Sequence, residues 1–350
     1  MKQTLRDFLC PQPKSKIKAG DGQLKGAYNF YTSSQIQSKF YHSATYTQPA
    51  LIFGTGGMAS VHYCNEPFST STDCLVMYGR LGAPLELIYY YLRSNMHLLQ
   101  DGFKGAGLQH ISKDYILNIN INMPAPSLQE QITHQMRLID AMINGKKQQI
   151  LSFDEAVKSR FIELFGVYPS NPKGWETATI RDIVADVRYG SSRPAVDGGK
   201  YPYLRMNNIT YGGELDLTDT KRIDIPDNEL DKCTVRRGDV LFNRTNSKEL
   251  VGKTCVYNRD EMMVLAGFVI RVRVTERVLP EFLSAFLNTD FSKQMLLGMC
   301  KAAIGQANIN AQEMQNIGIY LPPTELQRQF VQFKEQTDKS KLFDEMEVAA

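Results

Sequence analysis

These 350 residues contain no run of 18 apolar residues, so neither a membrane-spanning helix nor a membrane partner is expected. The opening "MKQTLRDFLCPQPKSKIKAG" lacks a long apolar stretch and a small-residue cleavage site, and does not read as a secretory leader. The six cysteines, Cys10, Cys64, Cys74, Cys233, Cys255 and Cys300, are scattered and form no CxxC pair. That spacing argues against a disulfide framework or a zinc ribbon, and for reduced thiols in a cytoplasmic protein. A large charge excess is missing as well, the formal net charge being +3. The surplus sits in residues 1–123 (11 Lys/Arg against 7 Asp/Glu) and, barely, in 171–320 (20 against 19). A polyanionic partner is permitted but not demanded.

Catalytic groupings are also scarce. The five histidines, His42, His62, His97, His110 and His134, all lie in the first half, and none is organised with a nucleophile and an orienting acid. His62 and Cys64 form an HxC pair with no second pair to complete a zinc site. "FGTGGM" (53–58) has neither the Lys-Ser/Thr ending of a P-loop nor full GxGxxG spacing, and reads as a hairpin turn or a loop near a ligand. "NEPF" (65–68) is one proline short of the Asn-Pro-Pro-aromatic motif of amino-methyltransferases, and no methyl-donor-binding unit precedes it. No catalytic residue, metal or cofactor is expected.

What is present is an internal repeat. "NINMPAPSLQEQI" (120–132) and "GIYLPPTELQRQF" (318–330) match without a gap at a shift of 198 residues. The shift pairs Gly107 with Gly305, Ile111 with Ile309, Ile119 with Ile317, Ile121 with Ile319, Pro124 with Pro322, Leu128 with Leu326, and Gln131 with Gln329. A shift of 195 lays "LELIYYYLRSN" (85–95) on "PEFLSAFLNTD", and a shift of 189 lays "ALIF" (50–53) on "DVLF". Matches keep their order in both halves, so the unit is duplicated. Each copy reads as a strand-rich segment, a short helix (about 85–100 and 280–297), a Gly-bearing turn, an alternating strand (Leu117, Ile119, Ile121; Ile317, Ile319), a proline break and a long helix. Pro124, Pro126, Pro322 and Pro323 suit a helix start, with Ser127 and Thr324 as N-caps. "VIRVRV" (269–274) alternates Arg with Ile and Val, the pattern of a half-exposed strand.

The first long helix is expected to run to about Phe165, with an apolar stripe of Ile132, Met136, Ile139, Ile143, Ile150, Phe153, Val157, Phe161 and Leu164. About 38 residues would span about 57 Å, more than one small domain covers. The second copy supplies a partner helix with Leu326, Phe330, Phe333, Leu342 and Met346. The pair is expected to form an antiparallel coiled coil of unequal helices, with Leu128 joining the stripe at the first helix start. A core helix of a larger globular domain is the alternative. The fold class expected is α+β, with boundaries at 1–123, 124–167, 171–321 and 322–350.

Near the glycine turns both halves carry side chains suited to phosphates and base edges. In the first half these are Tyr31, Thr32, Ser33, Thr55, Gly56, His62, Lys104 and Gln109. In the second they are Arg188, Tyr189, Ser191, Arg193, Arg205, Asn207, Asn208, Arg244, Asn246, Ser247, Lys253, Lys301, Gln306 and Asn308. Singly, each cluster is most simply a solvated loop; their duplication favours a two-headed nucleic-acid reader.

"GWETATIRDIVADVRYGSSRP" with "YPYLRMNNI", "VRRGDVLFNRTNS", "IGQANINAQEMQNIGIYLPPTELQRQ" and, in the first copy, "NMPAPSLQEQI" give this chain a resemblance, along nearly its whole length, to the specificity subunit of type I restriction–modification systems. The resemblance implies two target recognition domains, each followed by a spacer helix, that read two half-sites of double-stranded DNA. It implies docking of two methyltransferase subunits on the helices, a restriction/translocase subunit in the full complex, and no active site in this chain. The first copy departs from the pattern in lacking an opening like Trp175-Glu176, and the second spacer helix is short. Two other functions compete: a duplicated protein-binding scaffold, and a fragment of a fused DNA methyltransferase or nuclease.

Overall fold

A computed structural model describes residues 3–105, 107, 109–300 and 307–349. Two compact units divide between Asn144 and Gly145. In the first, β1 (Gln3–Thr4), α1 (Leu5–Phe8), β2 (Leu9–Pro11), β3 (Tyr28–Tyr31), β4 (Lys39–Tyr41), β5 (Ala50–Gly54), β6 (Val61–Cys64), β7 (Phe68–Thr70) and β8 (Cys74–Gly79) precede α2 (Leu85–Ser94), α3 (His97–Gln100), α4 (Lys113–Leu117) and β9 (Asn120–Ile121). Helix α5 (Pro126–Phe165) follows, unbroken over 40 residues. The second unit continues with β10 (Glu176–Thr179), β11 (Val184–Tyr189), β12 (Tyr201–Leu204), β13 (Lys221–Ile223), α6 (Asp227–Cys233), β14 (Thr234–Val235), β15 (Val240–Asn243), β16 (Thr245–Asn246), β17 (Thr254–Val256), β18 (Met263–Leu265) and β19 (Val269–Val274). It ends with α7 (Pro280–Leu287), α8 (Asp290–Met299), β20 (Ala307–Asn308), α9 (Ala311–Gln315), β21 (Gly318–Leu321) and α10 (Thr324–Ala349).

The duplication extends to topology. One sheet of the first unit has the order β2-β8-β5-β6, and its counterpart in the second is β11-β19-β15-β17. The other sheet is β4-β3-β7 in the first unit and β13-β12-β18-β14 in the second, with β3-β7 and β12-β18 both parallel. Alternation along the central strands serves two cores. In β5, Leu51 and Phe53 pack with Ile88 and Leu92 of α2, while Ala50 and Ile52 join Phe68 of the other sheet. In β15, Val240 and Phe242 pack with Phe282 and Phe286 of α7, while Leu241 joins Leu204 and Leu265. Because both faces are covered, these strands read as continuous apolar runs.

The repeat begins earlier than the 198-residue match indicates. "TLRD" (4–7) and "TIRD" (179–182) are the same step. The Thr4 amide donates to Asp7 at 2.7 Å and that of Thr179 to Asp182 at 2.8 Å. Arg6 then donates to Asn118 at 3.2 Å and Arg181 to Asn316 at 3.0 Å. The first copy therefore has its own version of the opening strand, without the Trp-Glu.

The proline joint also differs from expectation. Helix α5 starts two residues, and α10 one residue, earlier than the caps predicted, so Ser127 and Thr324 lie in the first turn. A glutamine closes each joint: Gln129 Nε2 donates to Pro124 O at 3.0 Å, and Gln327 Nε2 to Pro322 O at 2.8 Å. Gln327, fully buried, also donates to Arg277 O and accepts from the Leu279 amide. The predicted short helices each break in two, at Asn95-Met96 and Asn288-Thr289, where Thr289 caps α8. Leu117 ends α4 rather than starting a strand, because Ser112 caps a helix there as Asn310 does in the second copy.

Strand β19 is not half-exposed. Arg271 is buried, its Nη2 donating to Asp186 at 2.8 Å and its Nη1 to Asp231 O in α6. The face that alternation alone assigns to solvent lies against the second sheet, where Leu241 and Val269 meet Leu204 and Leu265, and α6, inserted between β13 and β15, supplies the Asp231 carbonyl to Arg271.

Helix α10 runs antiparallel to the second half of α5, so the expected pairing forms there. Phe330 meets Phe161 and Phe165 at 5.3 and 5.7 Å, and Arg160 lies over the Phe333 ring. Further along, Lys341 donates to Asp154 and Lys146 to Asp344, each at 2.8 Å. Phe153 lines the seam with Lys339 and Phe343, and Ile150 is half-buried. The first half of α5 instead packs on α2, with Arg93–Asp140 and Arg137–Glu86 pairs at 2.8 and 2.7 Å. Ile132, Met136 and Ile143 are half-buried, while Leu128 and Ile139 remain 47% and 49% exposed. The stripe is therefore not one seam, since its two halves serve different partners.

Candidate nucleic-acid interface

In the second unit four segments converge: the end of β11, the β15–β17 hairpin, the β18–β19 turn and β20. Backbone bonds lock them together. The Ser191 amide donates to Leu265 O and that of Gly267 to Ser191 O, both at 2.7 Å. The Arg244 amide donates to Phe268 O, and that of Ile309 to Arg244 O, both at 2.9 Å. Gly190 is required here, since a Cβ would lie 2.2 Å from Leu265 O.

This scaffold carries Tyr189, Arg244, Asn246, Ser247, Phe268 and Asn308. The Arg244 guanidinium sits 5.0 Å from the Tyr189 ring centroid, a cation–π arrangement. Tyr189 Oη accepts from the Ala311 amide at 2.9 Å, which holds the ring in place. Arg244 Nη1 reaches Gly267 O at 3.5 Å, while its Nε, buried, has no hydrogen-bond partner among the described residues. Asn243, missed by the sequence reading, organises the hairpin. It is fully buried, donates to Thr245 O and Phe268 O, and accepts from Asn246 at 2.9 Å. Thr245 donates to Asn308 at 3.0 Å. Tyr189 and Phe268 are exposed by 44% and 49%, and Ser247 and Asn308 are exposed. A guanidinium held over an aromatic ring, beside side-chain amides, can hydrogen-bond a base edge or a phosphate.

The remaining candidates of this half fall elsewhere. Arg188 pairs with Asp186 at 2.8 Å, and Arg193 grips Glu229 of α6 at 2.7 Å. Burial pushes the Asp186 carboxyl up, but hydrogen bonds from Arg271 and Arg188 outweigh it and hold it below its usual range. Ser191 is buried, its side chain capping the Arg193 amide. Arg205 pairs with Asp219 at 2.9 Å. Asn208, 2% exposed, accepts from the Arg205 amide and donates to Asp216 O and Asp219 O. Lys253 is buried, donating to Met206 O at 2.9 Å, and burial lowers its affinity for a proton. These side chains brace the 205–219 loop, with Asn207 exposed among them. Lys301 and Gln306 lie outside the described residues.

The first unit builds the same place from smaller parts. Ser33 Oγ donates to Asp73 O at 2.7 Å and accepts from the Thr55 amide, and Thr55 Oγ1 also donates to Asp73 O. His110 Nδ1 lies 3.0 Å from Thr55 O, and Gly56 bridges His110 as Thr245 bridges Asn308 in the other copy. Lys104 and Gln109 flank His110 and are exposed, while Thr32 is half-buried. "FGTGGM" is the tip of the β5–β6 hairpin, where Gly57 has φ +81°. Tyr31 and His62 are set apart from this cluster. Tyr31 is buried edge-on to Phe68 at 5.7 Å, with its hydroxyl pushed well up by burial. His62 is bonded to Ser34 O at 2.9 Å, and burial holds its pKa down.

All six cysteines are free thiols, and among the described residues no three His, Cys, Asp or Glu side chains are grouped to hold a metal. No described helix is long and apolar enough to cross a membrane.

The family model described as "Type I restriction modification DNA specificity domain" matches residues 3–152 and 172–344. The EcoKI type I restriction enzyme specificity subunit of Escherichia coli K12 is 24% identical over 234 residues, covering 62% of this chain and 50% of that protein. The chain thus spans about half the length of this curated relative. The S subunit of a type I restriction–modification system from M. genitalium superposes with a TM-score of 0.60 at 13% identity, over 100% of this chain and 92% of that one. A chain from a structure of type I R-M complex assembly and conformational transition gives 0.57 at 15% identity, over 100% and 93%. At these identities the likeness concerns the fold.

Proposed function

This chain belongs to the type I restriction–modification DNA specificity family, and on that premise we propose that it reads a bipartite double-stranded DNA target, one half-site per unit. The observation that carries this reading is one topology used twice with different chemistry at the hairpin tips: Arg244, Tyr189, Asn246 and Asn308 in one copy, Ser33, Thr55, Lys104, Gln109 and His110 in the other. A shared scaffold with unlike tips suits two unlike half-sites. Phosphate contacts position each unit and side-chain contacts specify bases. Residues 1–123 and 171–321 act as recognition domains, with 124–167 and 322–350 as spacer helices. The chain is non-catalytic, cytoplasmic, free of metal and cofactor, and works with two methyltransferase subunits and restriction/translocase subunits. The test is methylation mapping by the assembled methyltransferase complex. Arg244→Ala should change the sequences methylated while the complex still assembles; an unchanged map with both Arg244→Ala and His110→Ala sinks the reading.

A further inference from the structure

The two copies differ in what fills one socket. In the second unit, Phe282 and Phe286 of α7, Tyr320 of β21 and Phe330 of α10 form an apolar cradle. The end of α5 occupies it. Phe161 stacks on Phe282 at 5.6 Å, Phe165 meets Phe282 edge-on at 4.9 Å, and Tyr168 lies 5.3 Å from Phe286. Gly166, with φ +83°, ends the helix, and its carbonyl accepts from Tyr320 Oη at 2.9 Å. The repeat shifts of 195 and 198 map the cradle onto Leu87, Tyr91, Asn122 and Ile132 of the first unit. There, together with Tyr90, Met123 and Met136, those residues line an open groove of about 400 Å³.

We propose that this groove is a docking socket for the end of a helix from a partner protein of different sequence, one carrying two aromatic residues a turn apart and closing on a glycine. Its filled duplicate specifies the occupant. The aromatic pair would lie against Leu87, Tyr91 and Ile132. Asn122, exposed where Tyr320 stands in the copy, offers an amide to the glycine carbonyl. Helix-in-groove recognition of this kind rests on anchors at i and i+4. This inference is independent of the DNA-reading proposal.

The probe is a labelled peptide of this chain's own residues 152–170, titrated into the full chain and followed by fluorescence anisotropy. It competes poorly for the second unit's cradle, where the tethered α5 end has a large effective concentration. Saturable binding is expected, weakened at least about tenfold by Met136→Lys in the chain, or by alanine at both Phe161 and Phe165 in the peptide. Lysine is accommodated at that helix position, since Met136 corresponds to Lys334 in the second copy. Tyr91→Ala, checked for an unchanged Tm, is the second variant and should weaken binding in the same direction. No saturable binding, or equal binding by both chain variants, overturns the proposal. Sedimentation gives the remaining outcome: a dimer of the unliganded chain that Met136→Lys converts to monomer would make a second copy the occupant and overturn the assignment to a partner of different sequence.

Discussion

In the first unit the central strand β8 carries Val76 and Tyr78; in the second, the same positions of β19 carry Arg271 and Arg273. Arg271 reaches Asp186 and Arg273 reaches Asp239, each at 2.8 Å, and Asp239 stands where the first unit has the buried Ala50. One topology thus tolerates both an apolar layer and a charged one, provided every buried charge is paired. Since α6 is inserted only in the second copy, the Arg271 guanidinium finds backbone carbonyls there as well as a carboxylate. The comparison teaches that the scaffold is set by strand order and by the joint, and that the layers between its sheets are replaceable.

The largest expected effect separates the two sockets. Phe330→Ala, which removes a fully buried ring touching Phe161 and Phe165, should destabilise the second unit by about 3–5 kcal/mol. Ile132→Ala, at the matching half-buried place, should cost roughly half as much or less. Denaturant unfolding followed by Trp175, the one tryptophan, reports the second unit, and hydrogen exchange reports both. Equal costs would mean that the first socket is as tightly filled as the second.

Next come the joints. Gln327→Ala leaves a buried amide and two carbonyls unpaired and should cost about 2–3 kcal/mol, whereas Gln129→Ala, which loses one half-buried bond, should cost about 1 kcal/mol or less. The same unfolding curves check this. At the hairpin tips proposed to read DNA, Arg244→Ala should weaken binding to the specific site by about 1–3 kcal/mol with little change in stability, and Tyr189→Leu should weaken it by about 0.5–1 kcal/mol through loss of the stack. Gel shifts at fixed salt measure both.

The smallest effect expected is a difference in acid sensitivity. Asp186, despite burial, is held below its ordinary value by Arg271 and Arg188. Carboxylates depressed in the folded state contribute stability above their unfolded pKa of about 4, and lose it as pH falls through the depressed values. Between about pH 4 and 2 the second unit should therefore lose protection from hydrogen exchange before the first, whose corresponding strand has Val76 in place of Arg271. Simultaneous loss would remove the charged layer as a source of the difference.

The duplication, the joints and the helix pairing were legible in the sequence because they rest on local patterns. Proline breaks, Leu-Gln pairs and three–four spacing survive without tertiary context. "TLRD" and "TIRD" were legible in principle but went unread, since four residues at a different shift carry little signal until Arg6 and Arg181 are seen reaching Asn118 and Asn316. At the candidate interface, the chemistry of Arg244, Tyr189 and Asn308 was visible, but their convergence was not. Asn208, Lys253 and Tyr31 look equally suitable in sequence, yet burial removes them from any surface.

The sequence by itself determined that one unit is written twice, where each copy turns from strand to long helix, and which residue types are available near the glycine turns. Only the tertiary structure decided which of those residues share a surface, that Arg271 lies inside, and that one aromatic socket is filled while its duplicate is open. The physical reason is range. Periodicity and caps act within a few residues along the chain, whereas burial and pairing join segments such as Tyr189 and Arg244, or Phe165 and Phe330, that only folding brings together.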